Sequence, residues 1–284
     1  MKHLYVLLLT LLLISGPQRT WAGAVKCQDI FPEVIEAGMP GLTLPFGMPK
    51  GYEVTEFAEN TTPRVFVELA GRNMLLNQQA PELDAKGLLK PNGGLCASTC
   101  VTNVLGAMTA QEGNFRAFPK NAPEIVELVI DAYGQQTNGD ARMSANVNWL
   151  ARAANTVFPQ ILQRFQYDSM FENPVLTTLN IKAQATTLYL ANALKNDAIA
   201  VATVRHTSAD LRKMSYHAIV VLKVDRVQKK IYYSDPNLAN LIIVAPYTYS
   251  TLKGIRFNVP MTYGNEAVQL IEADIFTRTL HKTY

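Results

Sequence analysis

A series of strand patterns in the last third of the chain constrains its fold more than any other feature. Ala198–Val204 is continuously apolar, as is typical of a central strand that is buried on both faces. Tyr216–Val224 and Lys230–Ser234 follow it, and Leu241–Ala245 and Ile255–Val259 are two further strand candidates. The pattern predicts an antiparallel meander in this part of the chain.

Helical patterns precede these strands. A capping box at Asn121, with Pro123 in the first turn, predicts the start of a helix that ends at Gly134. Ser144–Val157 and Thr186–Leu194 have helical patterns as well. Helices followed by an antiparallel sheet indicate an α+β fold.

The chain opens with the pattern of a secretory leader. Its apolar run from Leu4 to Ile14 is shorter than the ~20 residues that span a bilayer. Small residues at Ala22 and Ala24 follow, and cleavage after either one suits a signal peptidase. We therefore predict a signal peptide over residues 1–24 and a secreted or periplasmic mature protein without a membrane span.

Two regions are predicted in the mature chain. Residues 25–88 contain six prolines that interrupt long elements, and Arg64–Leu69 is interpreted there as a short strand. We predict an N-terminal extension, with a pro-region as the alternative. Residues 89–284 form the predicted main domain.

The charge balance argues against nucleic acid as a partner. The chain has 26 Lys and Arg residues against 23 Asp and Glu residues, and removal of the leader takes away Lys2 and Arg19. The remaining balance of 24 against 23 gives no basic surface for nucleic acid or anionic lipid. The His and Cys spacings form no zinc pattern and no Gly-rich phosphate loop is present, so neither a metal nor a cofactor is expected.

Three cysteines in an exported chain are an odd number, which indicates an intermolecular bridge or a reactive free thiol. Cys96 follows the pair Gly93–Gly94 and lies in the first turn of a predicted helix, where the helix dipole favours the thiolate. Cys100 lies one turn deeper and is the alternative nucleophile. A single bridge between Cys27 and either of these residues would leave one thiol free.

Two residues at strand ends are candidates for the partners of a reactive thiol. His217 is predicted to open its strand, so that its side chain lies at the end of the sheet, and Asp235 follows the next strand 18 residues later. If the two strands pair directly, both side chains reach the same rim. A nucleophilic Cys needs a base, and that base needs a third group to orient it. His206 is the alternative base, but it ends its strand and no acid is expected beside it.

At these residues the chain resembles the papain-like cysteine peptidases, in the branch related to the bacteriocin-processing, double-glycine peptidases. The first helix of that branch begins with Cys, small residues and an apolar pair, as Cys96–Leu105 does. Its His begins a strand, as in His217–Val221, and its Asp stands in an Asp-Pro pair, as in Asp235-Pro236. The resemblance covers about residues 89–259 and implies a nucleophile helix and further helices packed on an antiparallel sheet.

The resemblance also implies a chemistry, which is hydrolysis of a peptide or isopeptide bond in a peptide or protein substrate. Cys96 would attack the carbonyl, His217 would carry the proton and Asp235 would orient His217. Asn92 stands where the family has a Gln that donates to the oxyanion, and Ala97 stands where Gly is common. With Cys96 as the nucleophile, the cysteines that remain for a disulfide are Cys27 and Cys100.

Two other functions are compatible with the same residues. The absence of the family's Gln and Gly favours a non-catalytic papain-like module that binds a peptide or a wall component. A peptidoglycan amidase or an acyl transferase would keep the Cys-His pair and act on a different bond.

Overall fold

The computed structural model of the chain describes residues 57–59, 61–91, 93–110, 118–143, 145–157, 165–169, 183–195, 197–207, 214–249, 255–263 and 266–278. The predicted signal peptide, Cys27 and Asn92 lie outside these residues, so the predictions about them stay predictions. The described residues form helices and an antiparallel sheet, which confirms the α+β class.

Helices and strands are numbered here in chain order. The α-helices are α1 (Thr62–Gly71), α2 (Pro81–Ala85), α3 (Cys96–Ala110), α4 (Phe118–Thr137), α5 (Val147–Val157), α6 (Ala183–Ala193) and α7 (Pro260–Tyr263). The strands are β1 (Phe165–Ser169), β2 (Ala198–Thr207), β3 (Met214–Asp225), β4 (Lys230–Ser234), β5 (Ile243–Pro246), β6 (Thr248–Tyr249), β7 (Ile255–Asn258) and β8 (Ala267–Arg278). Within the described part of the chain, no helix is both long and apolar enough to cross a membrane.

The eight strands form one sheet in the order β5-β4-β3-β2-β8-β7-β6, and β1 also pairs with β8. Strands β2 to β5 form an antiparallel meander as predicted. The fifth predicted strand, β7, is not part of it, because it pairs with β6 and β8 on the other side of β2. The prediction missed β8, which lies beside β2 and makes it a central strand. Polar residues at Gln269, Glu272 and Asp274 interrupt the apolar alternation of β8, and a register shift at Thr203/Val204 changes its pairing with β2.

Side chains of β2 alternate between two apolar cores, one on each face of the sheet. Ile199 and Val201 face the core that contains helices α1, α3, α4 and α5. Ala198, Ala200 and Ala202 belong to the second core, to which α6 also contributes. The prediction of a strand buried on both faces is therefore confirmed for β2.

Two local predictions about helices were wrong. Arg64–Leu69, predicted as a strand, lies in α1, where the buried Phe66 and Leu69 share one helical face and Arg64 Nε bonds Glu68 Oε1 at 2.8 Å. Helix α4 begins before Asn121 and continues past Gly134, with Pro123 inside it. Three residues at helical spacing are buried on its inner face: Ala122, Val126 and Val129.

Residues 75–78, called the connecting segment below, join α3 to the turn after β4. The side chain of Asn103, on α3, accepts from Leu76 N at 2.9 Å and donates to Leu76 O at 2.9 Å. The side chain of Asn240 makes the same pair of bonds with Leu75, at 2.9 and 3.2 Å. This part of the predicted N-terminal extension is therefore bonded to the same elements that carry Cys96 and Asp235.

Asn103→Ala is expected to lower the free energy of unfolding by about 3 kcal/mol, because two buried backbone groups of Leu76 lose their partner. Asn192→Ala, on the exposed side of α6, is the matched control and should change it by less than about 0.5 kcal/mol. Urea unfolding at neutral pH measures both variants. Equal effects of the two substitutions would contradict a structural role for the bonds to Leu76.

Candidate active site

Cys96 is the first residue of α3, as predicted, and its side chain is partly exposed. The first intrahelical bond runs from Thr99 N to Leu95 O at 2.8 Å. The preceding loop is held by Arg142 O, which accepts from Gly94 N at 2.9 Å. A Cβ on Gly93 would lie 2.3 Å from that same oxygen, so the close approach of the two loops requires glycine there.

Cys100 is wholly buried one turn further along α3. Its Sγ donates to Ala218 O at 3.5 Å, which packs α3 against β3 beside His217. Burial raises the pKa of the Cys100 thiol well above its ordinary value, and the negative charges of Cys96 and Asp235 raise it further. A buried, protonated thiol is a packing group, and it is a poor nucleophile.

His217 is the fourth residue of β3, not the first. The strand begins at Met214 because Ser215 and Tyr216 also pair with β2, and His217 itself lies opposite Val204. The predicted position outside the core is therefore wrong, since the residue is 1% exposed.

Asp235 directly follows β4 and is bonded to His217. Strands β3 and β4 pair directly, and His217 Nε2 lies 2.9 Å from Asp235 Oδ1 with both side chains fully buried. The same Oδ1 accepts from Asn237 N at 2.9 Å, which starts the 3₁₀ turn Pro236–Leu238. Asp235 Oδ2 accepts from Thr262 Oγ1, on α7, at 2.8 Å. The carboxylate is thus held by three donors from three parts of the chain.

The charges of the pair are mutually stabilised. Burial lowers the pKa of His217, but the charge and hydrogen bond of Asp235 and a hydrogen bond and charge from Cys96 outweigh it and raise the pKa to about 10. Burial raises the pKa of Asp235, whereas His217 and the donors Asn237 and Thr262 lower it, and the net shift is downward. At neutral pH the site therefore holds an imidazolium bonded to a carboxylate, with the sulfur of Cys96 at the ring.

A small cleft of about 50 Å³, open to solvent, is lined by Cys96 and His217. Small residues form much of its surface, among them Gly94, Ala97 and Ala218, and the described residues that line it include no Asp, Glu, Lys or Arg. The geometry thus places a thiol, an imidazolium and an approach for a substrate in one place.

His206 lies outside this lining and has its own acid. It contacts the Glu266 carboxylate and stacks on Tyr263 with ring centroids 4.8 Å apart. The prediction that no acid stands beside His206 was wrong, because Glu266 precedes β8, whose pairing with β2 was not predicted. Tyr263 also meets His217 edge-on at 6.3 Å.

The structure brings together Cys96, His217 and Asp235, while Asn92 lies outside the described residues. Cys96 and Cys100 are both free thiols in the structure and do not bridge each other. The predicted Cys27–Cys100 disulfide would replace the Cys100 thiol, and because Cys27 lies outside the described residues it stays a prediction. Among the residues that the structure describes, no group of three His, Cys, Asp or Glu side chains is arranged to hold a metal ion.

Sequence reasoning missed Thr262 and Tyr263, which contact the pair from α7. Their segment has no motif and lies 27 residues after Asp235, so only the fold shows their place. The contact of Asn237 had a local signal, because an Asp-Pro-Asn sequence is typical of a turn in which the Asp side chain accepts from the backbone two residues later.

No protein-family model matches the chain, and no curated protein matches it. The geometry of the site is therefore what supports a functional assignment.

The ion pair is expected to make stability depend on pH. The pKa of His217 rises on folding from 6.5 to about 10, so its stabilisation is complete below pH 6.5 and is lost as the pH rises through about 10. Asp235→Asn should remove most of this loss, because burial alone lowers the pKa of the ring. Urea unfolding between pH 6 and 10 measures the slope.

The control for this measurement is Asp84→Asn, at an exposed carboxylate, which should keep the wild-type slope. A slope in the Asp235→Asn variant equal to that of the wild type would argue against the charged pair.

Proposed function

We propose that the protein is a cysteine peptidase-like hydrolase that cleaves peptide or isopeptide bonds through a thioester on Cys96. The observation that carries the proposal is the buried bond between His217 Nε2 and Asp235 Oδ1, 2.9 Å long, at a cleft that Cys96 lines. A papain-like arrangement is part of the proposal. It is supported by a nucleophile at the start of α3 and by the packing of that helix on β3.

In the first half of the reaction, the Cys96 thiolate attacks the carbonyl carbon of the substrate. A C–S bond forms, and the electron pair of the C=O π bond moves to the oxygen until the amine departs. Because Nε2 of His217 is bonded to Asp235, its Nδ1 is the nitrogen that exchanges a proton with the reacting groups. The imidazolium gives this proton to the departing amine as the C–N bond breaks. An acyl thioester on Cys96 and a neutral imidazole remain.

In the second half, water attacks the thioester. His217 takes a proton from the water, the C–S bond breaks, and the sulfur leaves as the thiolate that faces the regenerated imidazolium. The charge of Asp235 stabilises the imidazolium in both halves and keeps the ring oriented.

The oxyanion of each tetrahedral intermediate needs donors. We assign this role to the Cys96 N–H at the start of α3 and to the side chain of Asn92. Asn92 is included because it precedes the nucleophile, as the Gln of the resembled family does. Gly94 is not a candidate, since its N–H donates to Arg142 O. One such donor contributes ~10²–10³ in rate.

The substrate that we propose is a peptide or protein outside the cytoplasm, in keeping with the leader pattern of residues 1–24. The absence of Asp, Glu, Lys and Arg from the described lining of the cleft supports an uncharged substrate segment beside the scissile bond.

Chloroacetamide or iodoacetamide labelling, followed by peptide mapping, tests the assignment of the nucleophile. Cys96 is expected to be modified and Cys100 to stay intact, because the Cys100 thiol is fully buried. His217→Gln should slow the labelling of Cys96 at pH 6 by about 10²-fold, since the thiolate loses its imidazolium. His206→Gln is the matched control and should label at the wild-type rate. Labelling at Cys100 alone would contradict the assignment of Cys96 as the nucleophile.

A substrate screen separates this proposal from its alternatives. Purified protein and its Cys96→Ala variant are incubated with a peptide library and with cell-wall fragments, and products are identified by mass spectrometry. Peptide cleavage that is lost in Cys96→Ala supports the peptidase. Cleavage of wall fragments alone would favour an amidase, and binding without cleavage by either protein would favour a non-catalytic module.

A further inference from the structure

A buried chain of hydrogen bonds leads away from the acid of the site. Thr262 Oγ1 donates to Asp235 Oδ2 at 2.8 Å, and Asn237 Nδ2 donates to Thr262 Oγ1 at 2.9 Å. Gln78 Nε2 in turn donates to Asn237 Oδ1. Gln78 is 2% exposed and Thr262 is 6% exposed, whereas Asn237 between them is half-buried, so the two ends of the chain are shielded from water.

The ionised carboxylate sets the direction of every bond in this chain. Asp235 accepts only, so the hydroxyl of Thr262 has to donate to it. The hydroxyl oxygen then accepts from the amide nitrogen of Asn237, which leaves the amide oxygen to face Gln78. Gln78 has to present its amide nitrogen there. The donor directions of these three hydrogen bonds therefore stabilise the ionised carboxylate of Asp235 more than its neutral form.

The same residues tie the acid to the helix of the nucleophile. Gln78 also donates its backbone N–H to Pro236 O at 2.9 Å, next to Asp235. Leu76 lies two residues earlier in the connecting segment, and both its backbone N–H and its carbonyl are hydrogen-bonded to the side chain of Asn103 on α3. One short segment thus contacts both the turn that carries Asp235 and the helix that begins with Cys96.

We propose that Gln78, Asn237 and Thr262 are positioning residues that keep Asp235 ionised and oriented toward His217, so that the imidazolium faces Cys96. The inference rests on the proposed function, because it assigns a purpose to the charge of Asp235. None of the three residues touches the substrate cleft, and each acts through the carboxylate.

Two other titratable groups near Asp235, Tyr233 and Cys100, stay neutral. Burial raises the pKa of Tyr233 well above its usual value, as does the charge of Asp235, and its hydroxyl donates to Asn258 O at 2.7 Å. Burial also keeps the Cys100 thiol protonated. His217 is therefore the positive partner of Asp235, and changes in the donor chain act on this one pair.

The test measures the rate of Cys96 alkylation by iodoacetamide between pH 3 and 9 in the full-length protein. Thr262→Val removes one donor to Asp235 with little change in side-chain shape. The acid limb, which is the part of the profile where the rate falls as the pH is lowered, should move to a pH higher by about 0.5–1 unit, because a carboxyl group with fewer donors has a higher pKa. Thr262→Ser keeps the hydroxyl and should restore the wild-type limb.

Gln78→Glu tests the direction of the chain. A carboxylate at position 78 accepts, so Asn237 would turn its amide nitrogen toward it and its oxygen toward Thr262. Thr262 would then donate to Asn237 instead of Asp235, and the limb should move in the same direction as in Thr262→Val.

The outcomes separate the two levels of the argument. A limb unchanged in Thr262→Val and in Gln78→Glu, even with a lower melting temperature, would overturn the positioning role and leave the proposed function standing. A wild-type Cys96 that reacts like an ordinary thiol, with no reactivity below neutral pH, would overturn the proposed function itself. A shift in both variants with rescue by Thr262→Ser supports the inference.

Discussion

The burial of two opposite charges is the constraint on which the rest of this structure depends. An imidazolium and a carboxylate without access to water are costly unless each is bonded to partners, and removal of one partner from such a pair typically destabilises a protein by ~3–5 kcal/mol. The fold meets this requirement for Asp235 with donors from the turn after β4, from α7 and from His217. Elements distant in sequence converge on one carboxylate for this reason.

The packing of α3 on the sheet places the sulfur of Cys96 next to the His217–Asp235 pair. Helix α3 packs on the sheet through the contact of Cys100 with the carbonyl of Ala218. Cys100 lies one helical turn after Cys96, and Ala218 directly follows His217, so this contact fixes the helix close to both site residues. The two cysteines of the helix thus have separate roles, one as a contact between helix and sheet and one at the cleft. The tight approach of Arg142 O to Gly93 fixes the loop that leads into the helix.

Local patterns predicted much of this arrangement, and long-range pairing accounts for what they missed. The glycines before Cys96 and the hairpin between His217 and Asp235 are local signals, and both are found in the structure. The alternation in Arg64–Leu69 fits a strand and a helix equally well, and the packing of Phe66 against the helical core decides for the helix. The depth of His217 depends on where β2 and β3 begin to pair. The roles of Thr262 and Glu266 depend on the position of β8, whose polar residues hide its strand pattern.

The connecting segment also bears on how the protein unfolds. The backbone of Leu75 is bonded to Asn240, after β4, and the backbone of Leu76 is bonded to Asn103, on α3. Separation of the sheet from the helical layer therefore breaks at least one of these pairs of bonds. These shared bonds raise the free energy of any partial opening that separates the two layers. Slow amide exchange would then extend from the core strands to an irregular stretch between two helices, and the geometry of the site would persist until the whole domain melts in a single cooperative step.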